Sequence, residues 1–340
     1  MLFTKLIWLT LVVCVFFHST ALAQGDFSGG KVLRIVVGFP PGGGYDTYSR
    51  LIARHLGRHI PGNPTIVVEN MTGAGSLIAA NHIYRAAKPD GLSIGHFIGG
   101  LFLQQLLGKS GIEFDARRFE YIGAPAQDNF VMGLAKATGI TSAQQWIASK
   151  TVIKFGGVGF GAGTDDIPAV AREVMGLPIQ LVTGYKGTND IRLAFNNGEI
   201  QGINNSWQSI RSTWRNELDT GQLQIIMQVA TKSHPELTKY SLSGDLIKTE
   251  DGKRLLEAVT QVHGESVRPY VLPPNTPKER VRLLRKAFDD TMKDAEFLAE
   301  ADKAKIDIKP VSGEELEKSV LNVLQLEPGL VAKLKDIIKS

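Results

Sequence analysis

Apolar runs and helical stripes alternate along the first third of the chain. A run rich in β-branched residues at 31–37 predicts a buried strand, and apolar positions three and four residues apart at 48–56 predict a helix. Further strands are predicted at 65–68 and 92–98, with a helix at 77–87 between them. Alternation of this kind predicts a parallel sheet with crossover helices.

The pattern repeats from about residue 125, which predicts a second α/β unit. Its strands and helices are predicted at 130–134, 152–155, 167–175, 179–182, 189–195 and 200–203. The last part of the chain contains a predicted extended crossing at 268–274. Two helices follow, each opened by a predicted capping box that begins at Thr276 or at Ser312. The predicted fold class is therefore α/β.

Two glycine-rich segments each lie between a predicted strand and a predicted helix. The first is 39–46, where Asp46 is the predicted N-cap of the helix, and the second is 156–164. In such a turn the backbone N–H groups and the positive end of the helix dipole face the same space. The first segment therefore indicates a site for a carboxylate or phosphate held mainly by backbone, or else a plain chain reversal.

The N-terminus has the features of a signal peptide at 1–23. Lys5 precedes an apolar run at 6–17, and small residues lead up to Ala23. We expect cleavage after Ala23, a mature chain that begins at Gln24, and localisation in the periplasm. The single cysteine, Cys14, lies in the apolar run, so the mature chain has none. A lipid anchor at Cys14 is the alternative.

Charge and motif content narrow the function classes. The 38 basic and 34 acidic side chains are interspersed, which argues against nucleic-acid binding. The mature chain offers no nucleophile elbow and no cysteine, so we expect no enzyme. We expect no cofactor, because 157–162 fits a dinucleotide fingerprint but the next strand does not end in an acid at 183–186. We expect no metal, because His55 and His59 have no evident third ligand.

Several motifs occur in a fixed order in the first unit. They are Phe39-Pro40-Pro41-Gly42-Gly43-Gly44 with Asp46, Val67-Val68-Glu69-Asn70, Gly73-Ala74-Gly75, Ala86-Ala87 and Pro89-Asp90-Gly91. In motif order and spacing the segment resembles the substrate-binding proteins of tripartite tricarboxylate transporters, the TctC or Bug-type periplasmic receptors. Further similarity extends towards the C-terminus.

This resemblance implies a two-lobe periplasmic binding protein of the type II, Venus-flytrap kind. Lobe 1 would be discontinuous, formed by 31–124 and 264–340, and lobe 2 would be 125–263. The implied function is capture of a small organic acid, a carboxylate, by a monomer that delivers it to the large and small permease subunits of a tripartite tricarboxylate-type transporter. A sensing receptor that presents its solute to a membrane signalling partner needs the same cleft and is the alternative.

By position in the motifs, the resemblance also implies which residues contact the ligand. They are Phe39, Pro41, Gly42, Gly43, Gly44, Tyr45 and Asp46 in the first loop, Gly159, Phe160, Gly161, Ala162, Gly163, Thr164 and Asp165 in the second, and Tyr185 and Trp207 beyond it. The acidic pair Asp165 and Asp166 either caps a helix, or disfavours a second carboxylate nearby, or meets an amino group of the ligand. This pair places a dicarboxylate or tricarboxylate ligand in doubt.

Overall fold

The chain builds two mixed β-sheets flanked by helices, as described by a computed structural model for residues 29–230, 232–265 and 268–339. The predicted signal peptide lies outside the described residues. The strands are β1 (Leu33–Val37), β2 (Ile66–Asn70), β3 (Ser93–His96), β4 (Glu120–Ala124), β5 (Phe130–Ala135), β6 (Ile153–Gly157), β7 (Ile179–Thr183), β8 (Gly202–Ser206), β9 (Leu223–Val229), β10 (Tyr270–Leu272) and β11 (Val311–Ser312).

The helices fall between and after these strands. They are α1 (Gly44–Leu56), α2 (Leu77–Arg85), α3 (Gly100–Leu106), α4 (Ala143–Ser149), α5 (Gly163–Met175), α6 (Thr188–Asn196), α7 (Trp207–Thr213), α8 (Arg215–Asp219), α9 (Ser243–Leu246), α10 (Glu250–Glu265), α11 (Lys278–Lys293), α12 (Ala295–Lys303), α13 (Gly313–Val323) and α14 (Pro328–Lys339). In this described part of the chain, none of the helices has the length and apolar character of a membrane span.

Each lobe is organised around one sheet. The first has the strand order β11-β4-β10-β3-β1-β2 and the second β7-β6-β8-β5-β9. The predicted parallel pairing is confirmed for β1 with β2 and β3, and for β6 with β7 and β8. It is wrong for β5, which runs antiparallel to β8 and β9. The predicted extended crossing forms β10, which is also antiparallel to its neighbours. Both follow a crossing between the lobes. A chain that crosses where the parallel strands end must enter the next sheet at that same edge, and so runs against them.

Of the apolar stripes and helix caps that the sequence predicts, some are present in the structure and others are not. The predicted stripe on α1 is buried, including Tyr48, Leu51 and Ile52. The Ser312 capping box is confirmed in both of its hydrogen bonds. The predicted box at Thr276 is wrong, because the Thr276 hydroxyl donates to the Pro273 carbonyl at 2.8 Å and leaves α11 without a side-chain cap.

The two lobes touch on both sides of the cleft between them. Asn189 Nδ2 of α6 donates to the Pro41 carbonyl at 3.2 Å, and Gln104 Nε2 of α3 donates to Asp166 Oδ2 at 3.1 Å. The structure is therefore a closed arrangement. Helix α13 packs on β4, whereas α14 packs against α5 of the second lobe. The division at 124 and 264, with 264–340 in the first lobe, stays a prediction.

Candidate functional site

A cleft opens between the lobes at the carboxyl ends of β1, β3, β6 and β8, where ligands bind in open α/β sheets. The empty space between its walls, together with open solvent at the mouth, is about 570 Å³. Both lobes and one crossing segment supply its walls. The lining residues are Phe39, Pro40, Gly43, Gly44, Tyr45, Ile98, Phe130, Val158, Ala162, Gly163, Thr164, Gly187, Thr188, Asn189, Asn205, Ser206, Ser209 and Arg268.

Three helices present their N-terminal ends to this space. Helices α1, α5 and α6 begin at Gly44, Gly163 and Thr188, and all three residues line the cleft. Within the described chain, no side chain accepts a capping hydrogen bond at the residues before them, which are Gly43, Ala162 and Gly187. Each helix start carries a partial positive charge, which the acidic pair in the first turn of α5 offsets more than the single acid in α1 or α6. The cleft therefore favours a negatively charged group.

Arg268 reaches the cleft from the segment that joins α10 to β10. Its side chain is 1% exposed, and its Nη2 donates to the hydroxyls of Ser206 at 3.1 Å and Ser209 at 2.9 Å. Its Nη1 lies beside the start of α1, 3.4 Å from the position that a Cβ on Gly44 would occupy. Among the described residues, Nε and Nη1 have no hydrogen-bond partner. The arginine thus brings buried donors to a wall of the cleft.

Charged and aromatic neighbours hold this guanidinium in place. Asp128 pairs with it, Oδ2 to Nη2 at 3.0 Å, but does not line the cleft. The rings of Tyr45 and Tyr48 have their centroids 4.8 Å and 4.5 Å from the guanidinium carbon. Burial opposes the charge on Arg268, yet Asp128 and these tyrosines keep its pKa above the ordinary value. Burial also raises the pKa of Asp128, against the opposing effect of Arg268.

The floor beneath Tyr45 consists of uncharged aromatic groups. His96 is fully buried and meets the rings of Tyr45 and Tyr270 edge-on, with centroids 4.9 Å and 4.1 Å away. Burial, reinforced by Arg268, lowers the pKa of His96 well below its usual value, so the imidazole is neutral. Burial likewise raises the pKa of Tyr45 and keeps the phenol protonated. The floor therefore adds no charge to the site.

The second glycine loop directs backbone N–H groups to its own acids. Gly159 N–H donates to Asp165 Oδ2 at 3.0 Å, and Gly161 N–H donates to Asp166 Oδ1 at 3.2 Å. The Thr164 hydroxyl also donates to Asp165, at 2.7 Å. Burial raises the pKa of Asp165 to about 6. The acidic pair thus holds the loop, and neither carboxylate lines the cleft.

The first loop divides its residues between structure and cleft. Asp46 lies in the first turn of α1, so its predicted role as N-cap is wrong; Gly43 holds that position. The Asp46 carboxylate accepts from Gly42 N–H at 2.9 Å, from Arg50 Nε at 2.8 Å and from Asn70 Nδ2 at 2.9 Å. These bonds pull Gly42 towards its own lobe, and they leave Gly43 and the start of α1 facing the other lobe.

The predicted site residues therefore fall into two groups. The structure brings seven of them to the cleft wall: Phe39, Gly43, Gly44, Tyr45, Ala162, Gly163 and Thr164. The others lie outside the lining: Pro41, Gly42, Asp46, Gly159, Phe160, Gly161, Asp165, Tyr185 and Trp207. Contact of either group with a ligand stays a prediction. Phe160, for example, is 45% exposed and packs under the Lys109 ammonium on another face.

Sequence reasoning missed part of the lining, above all Arg268. The segment around Arg268 resembles an ordinary extended crossing, and no motif marks it. Ser206 and Ser209 carried a weak signal, since Ser206 followed by Ser209 suits the start of a helix, and Ser206 does accept from Ser209 N–H at 3.1 Å. The apolar residues Ile98 and Phe130 fall in predicted strands, and Val158 lies in the second glycine-rich segment, outside the predicted site residues.

Solved structures share this architecture along almost the whole chain. BugD, described as a periplasmic binding protein, superposes with a TM-score of 0.73 and 20% identity over 90% of this chain and 97% of that one. The fold is that of a two-lobe periplasmic binding protein. The predicted α/β class and the Bug-type resemblance are thus confirmed at the level of the fold.

Two ligand-bound structures have the same periplasmic binding protein fold. MatC from Rhodopseudomonas palustris, with bound malate, gives a TM-score of 0.68 at 16% identity, covering 90% of this chain and 98% of that one. An R. palustris protein with adipate gives 0.71 at 18% identity, covering 89% and 97%. No family model and no curated protein matches the sequence significantly. At these identities the likeness is one of fold.

Proposed function

We propose that this protein is a periplasmic receptor that captures a small organic acid through a carboxylate. The observation that carries the proposal is the meeting of the uncapped starts of α1 and α6 with the buried Arg268 in one interlobe cleft. Helix N-termini and a guanidinium both favour carboxylate oxygens. Two proteins of the same fold bind malate and adipate, which supports the same ligand class here.

The proposal includes no catalytic step. The cleft wall, as far as the chain is described, contains no cysteine and no histidine, and the hydroxyls of Ser206 and Ser209 both accept from Arg268. Capture would proceed by closure of the lobes about the two crossing segments. We further propose export by cleavage after Ala23 and delivery of the solute to integral-membrane permease subunits of the tripartite tricarboxylate type.

Calorimetric titration of the mature chain, residues 24–340, tests the proposal. The panel contains malate, citrate, adipate, hexanoate and benzoate, with hexanamide and benzamide as uncharged counterparts. We expect at least one acid to bind and raise the melting temperature, and the amides to do neither. The proposal would be overturned if none of the acids gave a heat of binding or raised the melting temperature.

A variant that blocks the cleft tests whether the ligand binds there. A Cβ on Gly44 would overlap the Ser209 side chain across the closed cleft, so Gly44→Val should lower affinity at least about tenfold. Gly244→Val is the control, because Gly244 has nothing within 4 Å of its Cβ position and needs no left-handed backbone. Equal binding by the two variants would place the ligand elsewhere.

A further inference from the structure

We infer that the ligand carries a single carboxylate, bound by Arg268, on an otherwise apolar body. The inference rests on the proposed function and narrows its substrate class. It follows from the number of anion-binding groups that the cleft has left available, and from the character of the rest of its wall.

Arg268 is the one cation in the cleft wall among the described residues. Its Nε and Nη1 are buried donors without a hydrogen-bond partner in that part of the chain. A buried donor left unsatisfied costs about 1–3 kcal/mol. Because Nη1 lies at the uncapped start of α1, beside Gly44, one carboxylate there would accept from the arginine and face the helix dipole together.

A second carboxylate would find no second cation in the described part of the cleft wall, only the start of α6 and the uncharged Asn205 amide. The N–H groups of Gly159 and Gly161, which the fold could have offered from the second loop, already donate to Asp165 and Asp166. Asp165 accepts from the Thr164 hydroxyl, and both acids lie in the first turn of α5, where they would oppose a further negative charge. The backbone donors of the second loop are therefore already used by carboxylates of the protein itself.

The balance of charges around the cleft also indicates that the ligand carries one carboxylate. Asp128 already neutralises Arg268 from outside the cleft, at 3.0 Å. What remains for a ligand is the partial positive charge of the helix starts and the directional hydrogen bonding of the guanidinium. This suits one negative charge and leaves a second or third uncompensated in a partly dry cleft.

The remainder of the wall is built for an apolar body. Phe39, Ile98, Phe130 and Val158 are all buried, and all line the cleft. An aliphatic chain or an aromatic ring placed against them would be stabilised by about 25 cal/mol for each Å² of apolar surface removed from water. Additional ionised groups in that position would lose hydration without gaining partners.

Matched acids on the unmodified protein test the inference. Hexanoate and adipate share a six-carbon chain and differ in the second carboxylate, as benzoate and terephthalate share a ring. We expect hexanoate or benzoate to bind and the second carboxylate to weaken binding at least about tenfold. Tighter binding of adipate or terephthalate would overturn the inference and leave the receptor function standing. If none of the carboxylates bound, both proposals would fail.

A charge-neutral exchange tests the role of Arg268. The double variant Arg268→Gln, Asp128→Asn removes both charges together, so neither is left buried alone. We expect loss of hexanoate binding with a retained cooperative melting transition. The control is Arg211→Gln, Asp307→Asn, which removes an ion pair of 2.9 Å outside the cleft. Hexanoate binding by the Arg268 double variant at parental strength would overturn the inference. The matched acids decide the question if that variant does not fold.

Discussion

At the scale of single residues, Asp128 and the ligand compete for the same guanidinium. Asp128 is buried and pairs with Arg268 at 3.0 Å, outside the cleft wall. The pair can be held in the fold because each charge compensates the other. A carboxylate in the cleft would add a second negative partner on the other side of Arg268. Asp128 therefore sets how much anionic charge the site accepts.

Asp128→Asn should separate stability from affinity. Loss of one partner of a buried pair should lower the free energy of unfolding by about 3–5 kcal/mol. Hexanoate should bind more tightly than to the parent, because it becomes the main counter-ion of Arg268. Urea denaturation and calorimetry measure the two effects. Asp307→Asn, which breaks a partly exposed pair with Arg211, should cost about 0–1 kcal/mol and leave affinity unchanged. Weaker binding of hexanoate by Asp128→Asn would contradict this account.

At the scale of elements, the first turn of α5 holds the loop that precedes it. Asp165 accepts from Gly159 N–H and from the Thr164 hydroxyl, and Asp166 accepts from Gly161 N–H. Helix dipole and acidic first turn thus compensate each other inside the lobe. The glycines of this loop are needed for its backbone, since Gly159 has φ +133° and Gly161 has φ +80°. The loop is a structural device more than a ligand cradle.

Stability should depend on pH through Asp165. Its pKa is about 6 in the fold against an ordinary 3.8, so the folded state binds more protons between these values. Its contribution is therefore present below about pH 4 and lost as the pH rises through about 6. Asp165→Asn is uncharged at every pH. Between pH 4 and pH 7, its free energy of unfolding should therefore rise relative to that of the parent by an amount on the order of 3 kcal/mol.

Urea denaturation of parent and variant at pH 4 and pH 7 gives this difference. Asp190→Asn controls for the loss of a loop hydrogen bond, because Asp190 accepts from Lys186 N–H before the next helix. If the gap between Asp165→Asn and the parent is the same at both pH values, burial does not perturb this carboxyl group.

At the scale of the whole molecule, the cleft exists because two sheets meet at their carboxyl edges. Closure is supported by the bond between Asn189 and the Pro41 carbonyl, and by Lys109, whose ammonium lies 3.5 Å from the centroid of the Phe160 ring. Both contacts join one lobe to the other, so they form only when the lobes are together. A ligand that touches both walls would favour this closed state.

Phe160→Ala should weaken closure without touching the cleft. An exposed cation–π pair contributes about 0.5–1 kcal/mol, so affinity for hexanoate should fall roughly two- to fivefold. Small-angle scattering should show a smaller radius of gyration for the parent with hexanoate than without it, and the variant should need more hexanoate. Val152→Ala, at a site 61% exposed, is the control. A parental radius that does not change at saturating hexanoate would contradict closure on binding.

The sequence by itself determined the local elements and their chemistry. Apolar periodicity located β1, α1 and most strands of the second unit, because strand and helix periods are local properties of the chain. Glycine content marked both loops, and the Ser312 box formed as predicted. Asp46 shows the limit of local signals. It suits an N-cap by residue type, but Arg50 and Asn70 hold its carboxylate in the first turn of α1 instead.

Only the tertiary structure decided which groups share the cleft. Arg268, Ser206 and Gly44 are far apart along the chain, and no spacing relates them. They meet because the chain returns from the second lobe at the carboxyl edge of the first sheet, which places Arg268 just before the antiparallel β10. The same packing gave the second loop two carboxylates of its own, whereas in the first loop Asp46 takes the N–H of Gly42 and leaves Gly43 and Gly44 at the cleft wall. Selectivity for one carboxylate is therefore a property of lobe against lobe, and it is absent from any single motif.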